Sequence, residues 1–485
     1  MKTSQLSIFT NQELPEQPSI VDNNLQDSAS YIHVANRIPV NIPNGAFISI
    51  ERLTPLKVYS LGFQPAKTIP EIPYWFLEKY TAEGAVILEP FAGSGTSIIE
   101  ALKLSRRVVW LDYHPLSQLT CQVKTTRLSL AEVLDECSKI TKDLDFAKVP
   151  SSSVNFSNKD FWFQKPVQEG LEILKDRIFS SKAIYKPVLL LAFASTVRKC
   201  SDMNDGMILA ARRSNVKEVP KRTRSDVFKY FHFYIEKVLE SLAQWYQLDW
   251  DTSWVKEAES RDARSLNGDW TCDAIVTSPP YVNAIDYVWA SKFELHWLDF
   301  VKSDRDRLNL YSKEIGTERI PSLEYKQLGK TGHKKLDDLI AEIFYGNKYK
   351  ASKGQNELRA RVVYKYFIDM KQHFSSCYEK LREGGYYCFS VGDLSKICGV
   401  DLAVADSLVD FATDIGFHEV FRFHLLLKNR KLNIPRNVNW AGIIKHDTIV
   451  VLQKKITQLI LFILSRVQSN NSHHFVLKKV PCRSQ

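Results

Sequence analysis

The sequence predicts an α/β fold: one mostly parallel, twisted sheet with largely helical insertions. Residues 86–91 (VILEPF) and 107–112 (RVVWLD) are short apolar runs typical of buried strands, and SIIEALKLS (97–105) between them has helical spacing. Together they form a β–α–β unit. Strand and helix patterns alternate again from residue 273 onward, which favours a parallel sheet.

The later elements follow in order. DAIVTS (273–278) predicts a strand, and a helix over about 362–382 leads through a Gly-Gly turn into the strand YYCFSVGD. The helix LAVADSLVDFATDIG then precedes two strands, EVFRFHLLL and TIVVLQ. These patterns complete the predicted sheet.

The sequence divides into five segments. They are a polar, loosely ordered lead-in (1–45), a first core part (46–115), a mostly helical insertion (116–255), a second core part (256–454) with a polar, charged insertion at about 302–361, and a C-terminal tail (455–485).

Composition limits the functions that this chain can have. Its 65 Lys and Arg against 55 Asp and Glu give a net charge of +10, which suits a polyanionic partner without requiring one. The eight cysteines form no CxxC pair, so we expect a reduced intracellular compartment and no metal site. The N-terminus lacks a signal-peptide core, and the apolar run from Ile456 is too short to span a bilayer. We therefore expect a soluble cytoplasmic protein without a membrane partner.

A glycine turn, EPFAGSGT (89–96), joins the first strand of this unit to its helix. Gly93 and Gly95 let the backbone approach a ligand that a Cβ would exclude. The third glycine of a dinucleotide motif and the Gly-Lys-Ser/Thr of a P-loop are both absent. Asp112 ends the next strand, where such folds place a carboxylate on ribose hydroxyls. The pattern indicates a nucleoside-containing cofactor, although a purely structural strand–helix turn would look the same.

A proline turn, TSPPY (277–281), ends the strand that begins at residue 273. Each proline removes a backbone donor, so the strand cannot continue. Taken alone, the motif also fits a strand that ends in a proline turn beside a core tyrosine.

Together, FAGSGT and TSPPY resemble the signatures FxGxG and [DNS]PP[YFW] of the amino-group DNA methyltransferases, which use S-adenosylmethionine to methylate N4 of cytosine or N6 of adenine. GFQPAKTIPEIPYWFLEKY (62–80), SRDARSL (260–266) and LREGGYYCFSVGD are also similar to family segments, and the resemblance covers most of residues 50–454. It implies a Rossmann-like class I methyltransferase fold. Glu89 is a departure, because the family often has Asp there.

The resemblance also implies a division of roles. The residues implied to bind S-adenosylmethionine are Lys67, Glu89, Phe91, Ala92, Gly93, Ser94, Gly95, Thr96, Asp112 and Asp262. The catalytic residues are Ser278, Pro279, Pro280 and Tyr281. Two of these assignments have open alternatives: Asp262 as a surface acid paired with Arg261 or Arg264, and Lys67 as an exposed side chain.

The function implied is site-specific methylation of double-stranded DNA on a flipped base. Serine before the prolines favours N4 of cytosine over N6 of adenine. A role in restriction-modification beside an endonuclease is implied, in a prokaryotic cytoplasm close to the nucleoid. RNA methylation and an inactive DNA-binding subunit are the alternatives.

Target recognition is left open between the two insertions, 116–255 and about 302–361. Asn283 and Asp286 are candidates for the base pocket, because they are polar residues just beyond the proline turn. A basic cluster in the first insertion is either solvated surface or a phosphate-contacting loop. Its members are Lys217, Lys221, Arg222 and Arg224.

Overall fold

The computed structural model describes most of the chain between residues 30 and 456. The described residues are 30–51, 55–63, 67–151, 154–204, 207–211, 219–282, 285–351, 354–393, 395–427, 444 and 446–456. Most of the predicted lead-in and almost all of the tail therefore lie outside them. No helix in these ranges is long and apolar enough to cross a membrane.

Eleven strands lie within the described ranges. They are β1 Tyr31–Ala35, β2 Phe47–Glu51, β3 Val86–Glu89, β4 Arg107–Trp110, β5 Val255–Glu257, β6 Cys272–Thr277, β7 Leu381–Gly392, β8 Ser395–Ile397, β9 Val400–Leu402, β10 Phe417–Leu426 and β11 His446–Lys454. Nine of them form one sheet in the order β1-β2-β10-β11-β7-β6-β3-β4-β5, and β8 pairs with β9. Only β11 runs antiparallel to its neighbours in the large sheet. The predicted α/β fold with a mostly parallel sheet is confirmed.

The helices that the same ranges contain are α1 Glu71–Tyr80, α2 Thr96–Lys103, α3 Pro115–Thr125, α4 Leu130–Ile140, α5 Lys159–Trp162, α6 Lys165–Phe179, α7 Lys186–Cys200, α8 Arg224–Tyr246, α9 Tyr287–Ala290, α10 Lys292–Trp297, α11 Asp304–Lys313, α12 Ser322–Tyr325, α13 Lys334–Tyr345, α14 Gln355–Lys380 and α15 Val404–Ile415. Helices cover both faces of the sheet. Alternate strand residues enter two cores, as Ile87 and Leu88 of β3 do. This is the three-layer arrangement that a mostly parallel sheet requires.

Two segments differ from the expectation. Tyr31–Ala35 lies in the predicted lead-in but forms the edge strand β1, whose register against β2 pairs Tyr31 with Phe47. The helix expected from about residue 362 begins at Gln355. The strand was missed because polar residues flank it, and the first two turns of the helix because the residues there are polar and mask the apolar spacing.

Helices α3 to α8 occupy the segment expected to be a helical insertion. They pack into the sheet core instead of forming a core of their own: Leu171, Phe193 and Trp245 belong to the same cluster as Ile87 of β3. The segment therefore covers one face of the sheet.

Candidate active site

One cleft at the carboxyl ends of the central strands brings the two predicted turns together. The glycine turn after β3 and the proline turn after β6 both line it, although about 180 residues separate them. β3 and β6 are adjacent and parallel, so their carboxyl ends meet at one edge of the sheet. The Thr277 hydroxyl donates a hydrogen bond to the Glu89 carboxyl group and links the two strand ends directly.

The glycine turn is tight and is held by Asp112. Gly93 and Gly95 have φ of 52° and 78°, in the left-handed region that favours glycine. The Gly93 N–H donates to Asp112 Oδ2 at 2.8 Å, and the His114 N–H donates to Oδ1 at 2.8 Å. Burial raises the pKa of Asp112 to about 6, against the effect of these bonds. The Ser117 hydroxyl also hydrogen-bonds to this carboxyl group, so three of its roughly four acceptor sites are used within the protein.

Two buried residues support the turn from behind. A Cβ on Gly95 would lie 3.3 Å from Cys121 Sγ, so this position leaves no free space. The Lys124 ammonium is fully buried and donates to the Ser94 carbonyl at 2.6 Å. Burial lowers the pKa of Lys124 to about 7. We did not predict Lys124 from the sequence; the signal was a lysine three residues after Cys121, on the buried face of α3.

Other predicted cofactor residues have definite places. Phe91, Ala92, Ser94 and Thr96 line the cleft beside Gly93, whereas Gly95 lies behind it. Glu89 is 3% exposed, and burial raises its pKa to about 7 although the Phe91 N–H donates to it.

Lys67 lines the cleft but its ammonium bonds to the protein. It donates to the carbonyls of Tyr59, Ser60 and Leu61 at 3.2, 3.1 and 3.4 Å. A lysine ammonium has three donors, so these bonds use all of them. In this geometry Lys67 supports the 59–61 backbone.

The proline turn presents an oxygen acceptor and an aromatic ring. The Ser278 hydroxyl donates to the Ser390 carbonyl on β7 at 3.1 Å, so its oxygen lone pairs are left for another donor. The Tyr281 hydroxyl donates to Asp447 on β11 at 2.7 Å. A Cβ on Gly392 would lie 2.8 Å from a Tyr281 ring carbon, so only glycine fits there. Ser278, Pro279, Pro280 and Tyr281 all line the cleft.

Asp262 is not brought into the cleft, although its neighbours Arg261 and Ala263 line it. Arg264 binds both oxygens of Asp262, with Nε 3.0 Å from Oδ1 and Nη2 2.8 Å from Oδ2. Asp262 therefore forms an ion pair with Arg264, which was the alternative assignment.

Of the remaining open assignments, the structure places Asp286 and leaves Asn283 and Lys217 untested. Asp286 caps α9 through the Trp289 N–H and pairs with Arg319, and it does not line the cleft. Asn283 and Lys217 lie outside the described residues.

Two members of the basic cluster form ion pairs within the protein. Arg222 is 6% exposed and pairs with Asp202 at 3.4 Å, and Arg224 pairs with Glu169 at 2.9 Å. The phosphate-contacting interpretation is wrong for Arg222, because its guanidinium is inside the protein.

The second insertion contributes residues to the cleft that we did not predict. Lys313, Glu314 and Ile315 line its wall, and Glu314 lies beside Tyr113 and Tyr287. Glu314 is 3% exposed and accepts a 2.8 Å hydrogen bond from the Tyr287 N–H. Burial raises the pKa of Glu314 to about 8. A single acid in a charged segment carries no sequence signal for such a position.

This chain is similar to several proteins that are named type II methyltransferases. Type II methyltransferase M.MvaI of Kocuria varians is 23% identical over 417 residues, which cover 77% of this chain and 85% of that protein. Type II methyltransferase M.BsoBI of Geobacillus stearothermophilus is 23% identical over 419 residues, which cover 78% and 80%. The chain is a homologue of type II methyltransferases. A shorter match, 25% identical over 113 residues, is to type II methyltransferase M.MjaII of Methanocaldococcus jannaschii. No protein-family model matches the chain.

This type II methyltransferase homologue has a cleft whose shape and polar groups suit S-adenosylmethionine. The left-handed turn at Gly93 admits close backbone approach, and Asp112 keeps acceptor capacity for a ribose hydroxyl beside its three protein donors. The binding and catalytic roles of the individual residues stay predictions.

Proposed function

We propose that the chain is an S-adenosylmethionine-dependent DNA methyltransferase that modifies the exocyclic amino group of a flipped base, with N4 of cytosine favoured over N6 of adenine. The observation that carries the proposal is the shared cleft: Ser278 and Tyr281 line it together with Gly93 and Asp112. A methyl acceptor and a methyl donor must meet in one such place.

The cofactor half would hold the nucleoside. The glycine turn allows close backbone approach, and Asp112 would accept hydrogen bonds from the ribose hydroxyls. Bound S-adenosylmethionine supplies a methyl group that its sulfonium already activates. Lys124 and Lys67 keep the surrounding backbone in place through the carbonyls that they bind.

The proline turn would make the target nitrogen nucleophilic. That nitrogen is a poor nucleophile, because its lone pair is delocalised into the ring. The Ser278 oxygen and the Pro279 carbonyl would accept its two hydrogens, which favours a pyramidal nitrogen and disperses the positive charge that develops. The hydroxyl proton of Ser278 points to Ser390, so the oxygen serves as an acceptor.

Tyr281 would receive the flipped base. Flipping costs a few kcal/mol, and stacking on an aromatic ring returns about 1–3 kcal/mol. The preference for cytosine rests on the serine before the prolines, and the net charge of +10 suits duplex DNA. We further propose a role in restriction-modification, in a prokaryotic cytoplasm near the nucleoid and beside a cognate endonuclease.

Sequencing of genomic DNA tests this proposal. Cells would express the wild type or Ser278→Ala, and the method would report modified cytosine and adenine separately. N4-methylcytosine at one recurring short site, strongly reduced with Ser278→Ala, is the expected result. N6-methyladenine would change the assigned base, and unmodified DNA from cells that contain folded protein would overturn DNA methylation.

A further inference from the structure

Glu314 has an oxygen without a well-formed hydrogen bond on the wall of the cleft. Its Oε1 accepts the Tyr287 N–H, whereas its buried Oε2 has no partner at good hydrogen-bond geometry among the described residues. The Tyr113 and Thr317 hydroxyls lie close to the carboxyl group. A buried polar atom without a well-formed hydrogen bond destabilises the fold. Such an atom in a ligand cleft indicates a group that a ligand completes.

The neighbours of Glu314 identify which part of the cleft this is. The Tyr113 hydroxyl faces the same carboxyl group and also lacks a well-formed hydrogen bond within the described ranges. Tyr113 directly follows Asp112 at the end of β4, the acid positioned for ribose hydroxyls. Glu314 therefore lies on the nucleoside side of the cleft.

We propose that the Glu314 carboxyl group binds the amino-substituted edge of the adenine ring of S-adenosylmethionine, an inference that rests on the proposed function. Adenine places an N6–H donor beside a ring-nitrogen acceptor. A carboxylic acid offers an acceptor and a donor side by side and matches both, whereas a carboxylate offers acceptors only. Cytosine presents the same pattern at N4 and N3, so the two sources must be separated by experiment.

The protonation state of Glu314 agrees with this geometry. Burial and the nearby Asp286 raise its pKa to about 8, so the acid form prevails at neutral pH. Glutamine carries the same donor and acceptor pair in the same shape, and it pairs with adenine in this way elsewhere. Glu314→Gln is therefore the conservative variant, and Glu314→Ala removes the contact.

Titration calorimetry with S-adenosylhomocysteine, without DNA, tests the assignment. We expect Glu314→Gln to bind within about threefold of the wild type and Glu314→Ala to bind roughly tenfold more weakly. A second ligand has hydrogen in place of the 6-amino group. The wild type should bind it roughly tenfold more weakly than S-adenosylhomocysteine, and Glu314→Ala should not distinguish the two. The ligand comparison on the wild type needs no variant, so it holds even where Glu314→Ala does not fold.

Each result that contradicts the inference has a different meaning. Equal affinity of the wild type for the two ligands, or of all three proteins for S-adenosylhomocysteine, overturns the inference and leaves the proposed function standing. Unchanged cofactor affinity in Glu314→Ala with a raised KM for DNA assigns the carboxyl group to the target base and overturns the adenine assignment. A wild type that does not bind S-adenosylhomocysteine overturns the proposed function and the inference together.

Discussion

The Tyr281 hydroxyl donates a 2.7 Å hydrogen bond to Asp447, which ties the proline turn after β6 to the antiparallel strand β11. The ring itself passes over Gly392 of β7, where a Cβ would lie 2.8 Å from it. Three strands thus determine the orientation of one side chain. Under the proposed function, a ring held in this way would be preorganised to stack on a flipped base.

Gly392→Ala should displace the Tyr281 ring. The added methyl group has no space beside the ring, so we expect methyl transfer to slow by about tenfold or more while cofactor affinity is unchanged. Single-turnover kinetics and calorimetry separate the two effects. Asp447→Asn is the control, because its amide oxygen can still accept the Tyr281 hydrogen bond. A wild-type transfer rate in Gly392→Ala would contradict this role for the ring.

Ser278→Ala should leave cofactor binding intact and slow transfer by about 10²-fold or more, as the loss of one preorganised hydrogen-bond partner does elsewhere. Ser278→Thr keeps the hydroxyl and should retain more activity. The comparison uses single-turnover rates with saturating DNA. If Ser278→Ala transfers methyl groups at the wild-type rate, the serine has no part in the chemistry.

The two turns were predictable because their residues act through the backbone. Gly93 and Gly95 adopt positive φ, and the prolines end β6, so each leaves a local mark on the sequence. Their meeting in one cleft follows from the parallel order of β3 and β6.

The remaining site residues depend on tertiary packing. Lys124 and Glu314 are ionisable residues in stretches that look ordinary, and only burial gives them a role. Arg222 belongs to a basic run that looks exposed, but Asp202, twenty residues earlier, pairs with it inside the fold. No local pattern contains such pairings.

Gly95→Ala should weaken cofactor binding through the glycine turn. The new Cβ would contact Cys121 and adopt a positive φ, so we expect about tenfold lower affinity for S-adenosylhomocysteine. Gly84→Ala is the matched control: its φ of 77° is almost the same, but nothing lies within 4 Å of the new Cβ. Each variant should lose about 1–2 kcal/mol of stability from backbone strain. Equal cofactor affinities in the two variants would mean that the turn does not bind the cofactor.

Arg222→Ala should destabilise the fold without a specific effect on DNA. It leaves Asp202 buried and unpaired, which typically costs about 3–5 kcal/mol. Lys221→Ala, one residue away and exposed, should change the free energy of unfolding by less than about 0.5 kcal/mol. Chemical denaturation compares the two. An Arg222→Ala variant of wild-type stability, with weaker and less salt-dependent DNA binding, would restore the phosphate-contact interpretation.

Glu314 should make stability fall with pH relative to Glu314→Gln. Its pKa rises from 4.5 in the unfolded chain to about 8 in the fold, so between these values the unfolded state has lost the proton that the folded state keeps. Between these two pKa values, each rise of one pH unit lowers the free energy of unfolding by about 1.4 kcal/mol, and the effect is complete above pH 8.

The charged and titratable groups around Glu314 are Asp112, Tyr113, Asp286, Tyr287, Lys313 and Arg319. They are present in both proteins, so the difference in Tm between the wild type and Glu314→Gln, measured without ligand from pH 5 to pH 9, isolates Glu314. A difference that stays constant over this range would place the carboxyl group in contact with water and remove the acid form from the cleft at neutral pH.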